Sequence, residues 1–463
     1  MHINGSIAAL VLTTLSSLSS GGAHAATFYV APLGTTQSCK ADGSQVCPWL
    51  SIGAAFGSGL VRGGDVINLL DGDYGAMKLT YLSFDTPVTI QALNANKARA
   101  ETIMVGDGTR NITIRNLNVW PSNPYQWVGT LVYTTEASSF ITFDGLDARA
   151  GQDAASYPNW TQAEWLSRGV DGVMISGPNS SIKNSRITGT RFALGLLAAD
   201  GLAQNNVIDG FSGDGLRGQG NNSRFLNNRV SNCVSVDDNH ADGFQSFTSP
   251  DHPISGLVLD GNTIIEWSNP AQSPLRCSLQ GIGMFDGWYD NLTIRNNVVA
   301  GRMGHGIAVY GTRHAVIANN TVVNVFGTAS PYPWIMVQPL KNGTPSSDVV
   351  VANNLAMSYG GASDPANRIS YVSNSVVMNP ATAFQDVANF NYVPQSTSGF
   401  IDVADPAYAP ATDILGGQRP FGAGPDRGAY EVGATGGGTT NGTPKTPGAG
   451  IVKWGKFLKA PKG

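Results

Sequence analysis

The chain has 463 residues, of which 28 are basic and 32 acidic, for a formal charge of −4. Charged residues make up 13%, about half the ~25% usual in soluble domains, while hydrophobic residues at 41% are ample for a core. Disorder, collagen and a polytopic membrane protein are excluded, the basic stripe of a nucleic-acid binder is absent, and the length exceeds the ~250–300 residues at which one core stops growing.

Residues 1–25 read as an export signal. The run Ile7 to Leu18 is largely apolar but too short to span a bilayer, and small residues lead to Ala23-His24-Ala25, an A-x-A cleavage site. No Lys or Arg precedes the run. No later segment is long and apolar enough for a span, so the mature chain is expected to be soluble, monomeric, and secreted or periplasmic. Cys39 and Cys47 flank an Ala41-Asp42-Gly43 turn and are expected to pair in an oxidising compartment. Cys233 and Cys277 either pair or stay as thiols. No C-x₂-C spacing suggests zinc.

Along the middle of the chain, apolar residues alternate around a doublet of Asn or a near equivalent. The copies are Asn184-Ser185, Asn205-Asn206, Asn227-Asn228, Gly261-Asn262, Asn296-Asn297, Asn319-Asn320 and Asn353-Asn354, with an earlier relative at Ile114-Arg115-Asn116. Their second members are 21, 22, 34, 35, 23 and 34 residues apart. A period of about 22 residues, lengthened in some turns, is the signature of a solenoid. Each unit carries two or three Val/Ile/Thr-rich runs of period 2 and no helical periodicity. With no helix to cover a parallel sheet, such runs bury their apolar faces by winding inward as stacked coils. Asn at the same turn of successive coils can then bond to its copies above and below.

With these features the chain resembles the right-handed parallel β-helix proteins of the pectate-lyase-like superfamily. The likeness begins at Phe28-Tyr29-Val30-Ala31-Pro32, and continues through Pro48-Trp49-Leu50-Ser51-Ile52 with a short helix to about Leu60. It then takes in Gly64-Asp65-Val66-Ile67-Asn68-Leu69 and ends in a closing strand at Asp426-Arg427-Gly428-Ala429-Tyr430-Glu431. It implies an all-β fold, a single-stranded right-handed parallel β-helix with an N-terminal capping helix, as one catalytic domain over residues 26–433. The superfamily hosts lyases, hydrolases, epimerases and adhesins, so the reaction has to be read from the site. Residues 434–463 are expected to form a flexible Gly/Thr/Pro linker and a basic tail.

A strand after each Asn turn can be aligned on a Gly-apolar pair: Gly172-Val173, Gly195-Leu196, Gly215-Leu216, Gly243-Phe244, Gly281-Ile282 and Gly306-Ile307. Alternation then sends Met174, Leu197, Arg217, Gln245, Gly283 and Ala308 outward in one column. On this alignment Gly283 and Ala308 leave room for a sugar ring. The residues before each Gly form a second column, Asp171, Leu194, Asp214, Asp242, Gln280 and His305. Asp-Gly is a common turn signal, which accounts for Asp171. A histidine at this position has no such reason. The densest polar cluster runs from Asp237 and Asp238 through His240 to Asp242 and Gln245. Asp237 and Asp238 are candidate Ca²⁺ ligands, although the EF-hand spacing is absent and no cofactor is required. Asp286, Trp288, Tyr289, Tyr310 and Trp334 offer further polar and stacking groups near the same coils.

Here the chain is similar to pectin-hydrolysing polygalacturonases, whose successive coils carry Asn-Thr-Asp-Gly, an Asp-Asp pair and Gly-His-Gly. The corresponding stretches are His240-Ala241-Asp242-Gly243, Leu279-Gln280-Gly281 and Gly304-His305-Gly306. Leu-Gln in place of the acid pair removes the carboxylates expected for inverting hydrolysis. β-Elimination from a uronic-acid polymer needs a group to neutralise the carboxylate, a base for the C5 proton and a donor to the leaving oxygen. Arg217, His240 or His305, and Tyr310 fill these roles, with Asp242 among the catalytic set and Gln245, Asp214 and Gln280 beside it. The sequence therefore leads to a polysaccharide lyase acting on an anionic polymer. Glycoside hydrolase, C5-epimerase and non-catalytic glycan-binding solenoid remain the alternatives.

Overall fold

A computed structural model describes residues 25–126, 128–326 and 332–434. The export signal, apart from Ala25, and the linker and tail, apart from Ala434, lie outside the described residues. Three sheets of 15, 12 and 11 strands run from Thr27 to Val376, and every neighbouring pair within them is parallel. One coil passes through all three. Arg224–Leu226 lies in the 15-stranded sheet, Arg229–Cys233 in the 12-stranded sheet and Asp242–Phe247 in the 11-stranded sheet. The core is the inside of the winding, where Ile182, Ala203, Phe225, Leu259, Ile294, Ile317 and Val351 stack wholly buried.

The Asn doublet explains the sharp turn between the first two sheets. Its first member takes the left-handed conformation, with φ of 51° at Asn184, 58° at Asn205, 55° at Asn227 and 53° at Asn319, which Asn tolerates better than other side chains. Gly261, at φ 72°, serves where Asn is missing. The second member points inward and forms a buried ladder. Asn206 Nδ2 donates to Asn228 Oδ1 at 2.9 Å, Asn228 to Asn262 at 3.0 Å and Asn262 to Asn297 at 3.0 Å. The series continues through Asn320 and Asn354 to Asn374. Each amide also bonds to the backbone of the neighbouring coils, as Asn262 does to Phe225 O and Asn228 N. Asn262→Ala strands several buried donors and acceptors at once. It should cost at least about 1–3 kcal/mol, read as a lowered urea midpoint.

At the N-terminal end, helix Ile52–Gly57 is capped by Ser51, whose side chain accepts from Ala54 N, and buries Ala55. It stops at Gly57, short of the expected Leu60. Cys39 and Cys47 are bonded, and so are Cys233 and Cys277, with Cα atoms 5.9 Å and 5.5 Å apart. The expected closing strand is not one. Residues 426–431 have no strand pairing and form part of an irregular segment laid along the outside of the Asn turns. The outward Asn of three successive turns holds this segment. Asn296 donates to Thr412 O, Asn319 to Asp426 O and Asn353 to Asp405 O, at 3.1, 2.9 and 2.9 Å. Inside the segment, Arg419 and Glu431 form a fully buried ion pair at 2.9 Å.

Candidate active site

The site lies on the 11-stranded sheet, at the corner where each coil leaves the 12-stranded sheet. Glycine is required there because the Cα faces inward onto the side chain of the preceding sheet. A Cβ on Gly243 would stand 2.2 Å from Ile264 Cγ2. The residue before each such glycine is thereby thrown outward. Asp242 and Gln280 are direct partners on neighbouring strands, and His305 heads the next strand. The next outward row pairs Met174 with Gly195, then Arg217, Gln245, Gly283, Ala308 and Met336.

One coil of the sequence alignment is therefore out by two residues. Leu194, not Leu196, stands opposite Val173 and Leu216, so Gly195 takes the outward place assigned to Leu197. Phe192 occupies the corner position and lies 4.0 Å from the Arg217 guanidinium carbon. The space expected over Gly283 is filled. A Cβ there would meet Phe285 Cε2 at 2.6 Å and Asp242 Oδ1 at 2.7 Å. Ala308 is likewise fully buried.

Two histidine contacts result. His240 Nδ1 lies 2.9 Å from Asp242 Oδ2, which also accepts from Gln245 Nε2 at 3.2 Å. This carboxylate holds the His240 imidazole above its ordinary pKa, while the ring remains 55% exposed. Burial pushes Asp242 itself up to about 6 against the pull of His240, and the nearby Asp214 charge adds to the rise. On the neighbouring coils, His305 Nδ1 lies 3.2 Å from Gln280 Oε1. An amide oxygen only accepts, so this contact sets the Nδ1–H tautomer and leaves Nε2 with its lone pair. Phe285 and Trp334 flank the ring, with centroids 4.9 and 5.3 Å away. Burial, reinforced by the His240 charge, pushes its pKa below the ordinary value. Tyr310 packs edge-on against the same Phe285 at 5.3 Å, and among the described residues its hydroxyl meets only Met336 Sδ, at 3.5 Å.

Several expected substrate ligands have other tasks. Asp214 is buried and takes two hydrogen bonds from Arg217, at 3.1 and 2.5 Å, so most of the Arg217 fork serves the protein. Gln280 is buried and orients His305. Tyr289 turns inward on the 15-stranded sheet, fully buried, and donates to Ser246 O. The Trp288 indole N–H is taken by Asp290. Asp286 is at the far edge of the face in an exposed pair with Lys341 at 2.6 Å. The Asp237 carboxylate bridges Arg191 at 3.1 Å and caps Asn239 N. Among the described residues no group of three or more metal-ligating side chains occurs. His314 lies on the 15-stranded sheet, facing Asp348. Sequence reading missed Phe192, Phe247, whose ring centroid lies 5.4 Å from the Arg217 guanidinium carbon, and Phe285. The two latter follow outward residues at the period-2 spacing, so carrying the alternation one step further would have found them.

The stacked coils with this corner column define a right-handed parallel β-helix, the fold of the pectate-lyase-like superfamily. Residues 171–389 match the family model described as the right handed beta helix region. Solved structures with a similar winding include a pectate lyase, at 17% identity over 88% of this chain and 96% of the other, with a TM-score of 0.48. The A-module of an Azotobacter vinelandii mannuronan C-5 epimerase shares 15% identity over 70% and 93%, with a TM-score of 0.45. An alginate lyase of family PL6 shares 13% over 70% and 50%, at 0.40. No curated protein matches the chain in sequence. Among the described residues no helix is long and apolar enough to cross a membrane.

Proposed function

We propose that the chain is an exported polysaccharide lyase that cleaves a uronic-acid polymer by β-elimination. The carrying observation is the pair of histidines on one face, His305 against Gln280 and His240 against Asp242, whose environments push their pKa values in opposite directions and so suit one to be a base and the other a cationic partner of a carboxylate. His305, kept neutral, accepts the C5 proton at Nε2. The C5–H electrons become the C4=C5 double bond as the C4–O bond breaks, and the leaving oxygen takes a proton from the Tyr310 hydroxyl. His240, whose protonated form Asp242 favours, and the remaining Arg217 nitrogen face the substrate carboxylate as its charge spreads toward an enolate. Hydrolysis has one feature in its favour, the Asp242 pKa near 6. However, Asp242 and Asp214 are both buried, whereas a glycosidase acid must reach the glycosidic oxygen.

The test is incubation with polygalacturonate and with alginate while ultraviolet absorbance is followed. Rising absorbance from unsaturated ends is the expected result. New reducing ends without absorbance would establish hydrolysis. Deuterium uptake from solvent without cleavage would establish epimerisation. The pH profile of kcat/KM should be bell-shaped. Its acid limb falls below the ordinary histidine value of ~6.5, where His305 gains a proton, and its alkaline limb rises above that value, where His240 loses one. Asp242 adds to the acid limb, because its protonation near 6 releases the hold on His240.

A further inference from the structure

The outward row that contains Arg217 continues toward the N-terminal end through Gly195 and Met174 to Tyr133, each the direct partner of the next. Gly195 leaves no gap in it, since a Cβ there would meet Met174 Sδ at 2.7 Å and Leu197 Cδ2 at 3.3 Å. The floor is thus continuous and apolar for three strand steps, roughly 14 Å at ~4.8 Å per strand. It ends in a cavity of about 340 Å³ lined by Thr130, Tyr133, Met174 and Ser176 among others. No charged residue lines it. The Thr134 hydroxyl is occupied by the backbone N–H groups of Ser176 and Gly177, at 2.9 and 2.8 Å. The hydroxyls of Thr130, Tyr133 and Ser176 have no protein partner among the described residues. A partly exposed aromatic ring, a thioether and three hydroxyls without a protein partner among the described residues match the apolar face and hydroxyl rim of a saccharide unit.

We propose that this cavity is a second sugar-binding subsite, which takes a saccharide unit of the polymer by ring stacking and hydroxyl contacts and leaves its carboxylate in solvent. The proposal rests on the reading of the chain as a polysaccharide-active enzyme. It adds that the bound polymer crosses the strands at right angles and spans at least the five strand steps from Phe285 to Tyr133. The chain would therefore act within polymers, and trisaccharides would leave the far subsite empty.

Tyr133→Ala should raise KM for the polymer roughly 3- to 10-fold, as expected for a lost stacking contact, with kcat on a trisaccharide unchanged and the melting temperature preserved. Tyr133→Phe should keep most of the affinity, because the ring remains. Equal KM values for wild type and Tyr133→Ala would overturn the subsite. Affinity electrophoresis in gels containing polygalacturonate or alginate gives a readout that needs no turnover. Retardation of the wild type that Tyr133→Ala loses supports the subsite even if no unsaturated product forms, which would sink only the lyase reading. No retardation of the wild type, or equal retardation of both proteins, overturns it.

Discussion

His305→Ala is expected to lower kcat on a uronate polymer by about 10²–10⁴-fold, the range for loss of a positioned general base, with little change in KM. The protein should fold normally. His305 is partly exposed and makes one side-chain hydrogen bond, to Gln280, while the stacked core beneath it is intact. Far-ultraviolet circular dichroism and the melting curve check that point. Gln280→Leu should give a smaller loss of activity with the same fold, because the imidazole then populates the tautomer that carries its proton on Nε2 and cannot accept another. If His305→Ala keeps more than a tenth of the wild-type rate, the base lies elsewhere on the face. His240→Ala should lose activity too, and its loss should grow with the charge carried by the substrate.

Glu431→Ala should produce the largest loss of stability, about 3–5 kcal/mol. Removing Glu431 leaves the buried Arg419 guanidinium without its paired carboxylate, with only the more distant Asp413 and Asp426 charges to offset it, and both side chains of the pair are 0% exposed. Glu431 also accepts from the backbone N–H groups of Phe421 and Asp426, so these donors are orphaned as well. Urea unfolding measures the cost. The double substitution Arg419→Met with Glu431→Leu removes both charges together and should recover much of it. Equal losses in the single and double variants would show that the backbone bonds, and not the stranded charge, carry the effect.

What could be read from the sequence was local. The Asn doublets recur because one turn needs the same two conformations in every coil, and the alternation of Val, Ile and Thr reports which side of a strand is buried. Both predict the coil and the column joining Asp242, Gln280 and His305. The slip at Gly195 arose because Leu194 and Leu196 are both inward, so alternation alone does not say which one opposes Leu216; the length of the preceding turn decides. Whether a side chain meets solvent depends on what neighbouring coils place over it, and this information is not local. Asp214 is expected beside the catalytic set as a substrate ligand, yet Arg217 covers it. Gly283 was read as open, yet Phe285, two residues on, folds across it.

The outward amides of Asn296, Asn319 and Asn353 tie the C-terminal segment across the last turns of the winding. A solenoid whose coils touch only their neighbours frays from its ends, and the strand bearing His305 is third from the end of its sheet. This clasp thus holds the coil that carries His305, the proposed base, against end-fraying. Heating that loosens it should extinguish turnover while the N-terminal coils still hold their protected amides against hydrogen exchange, so inactivation should precede melting by several degrees.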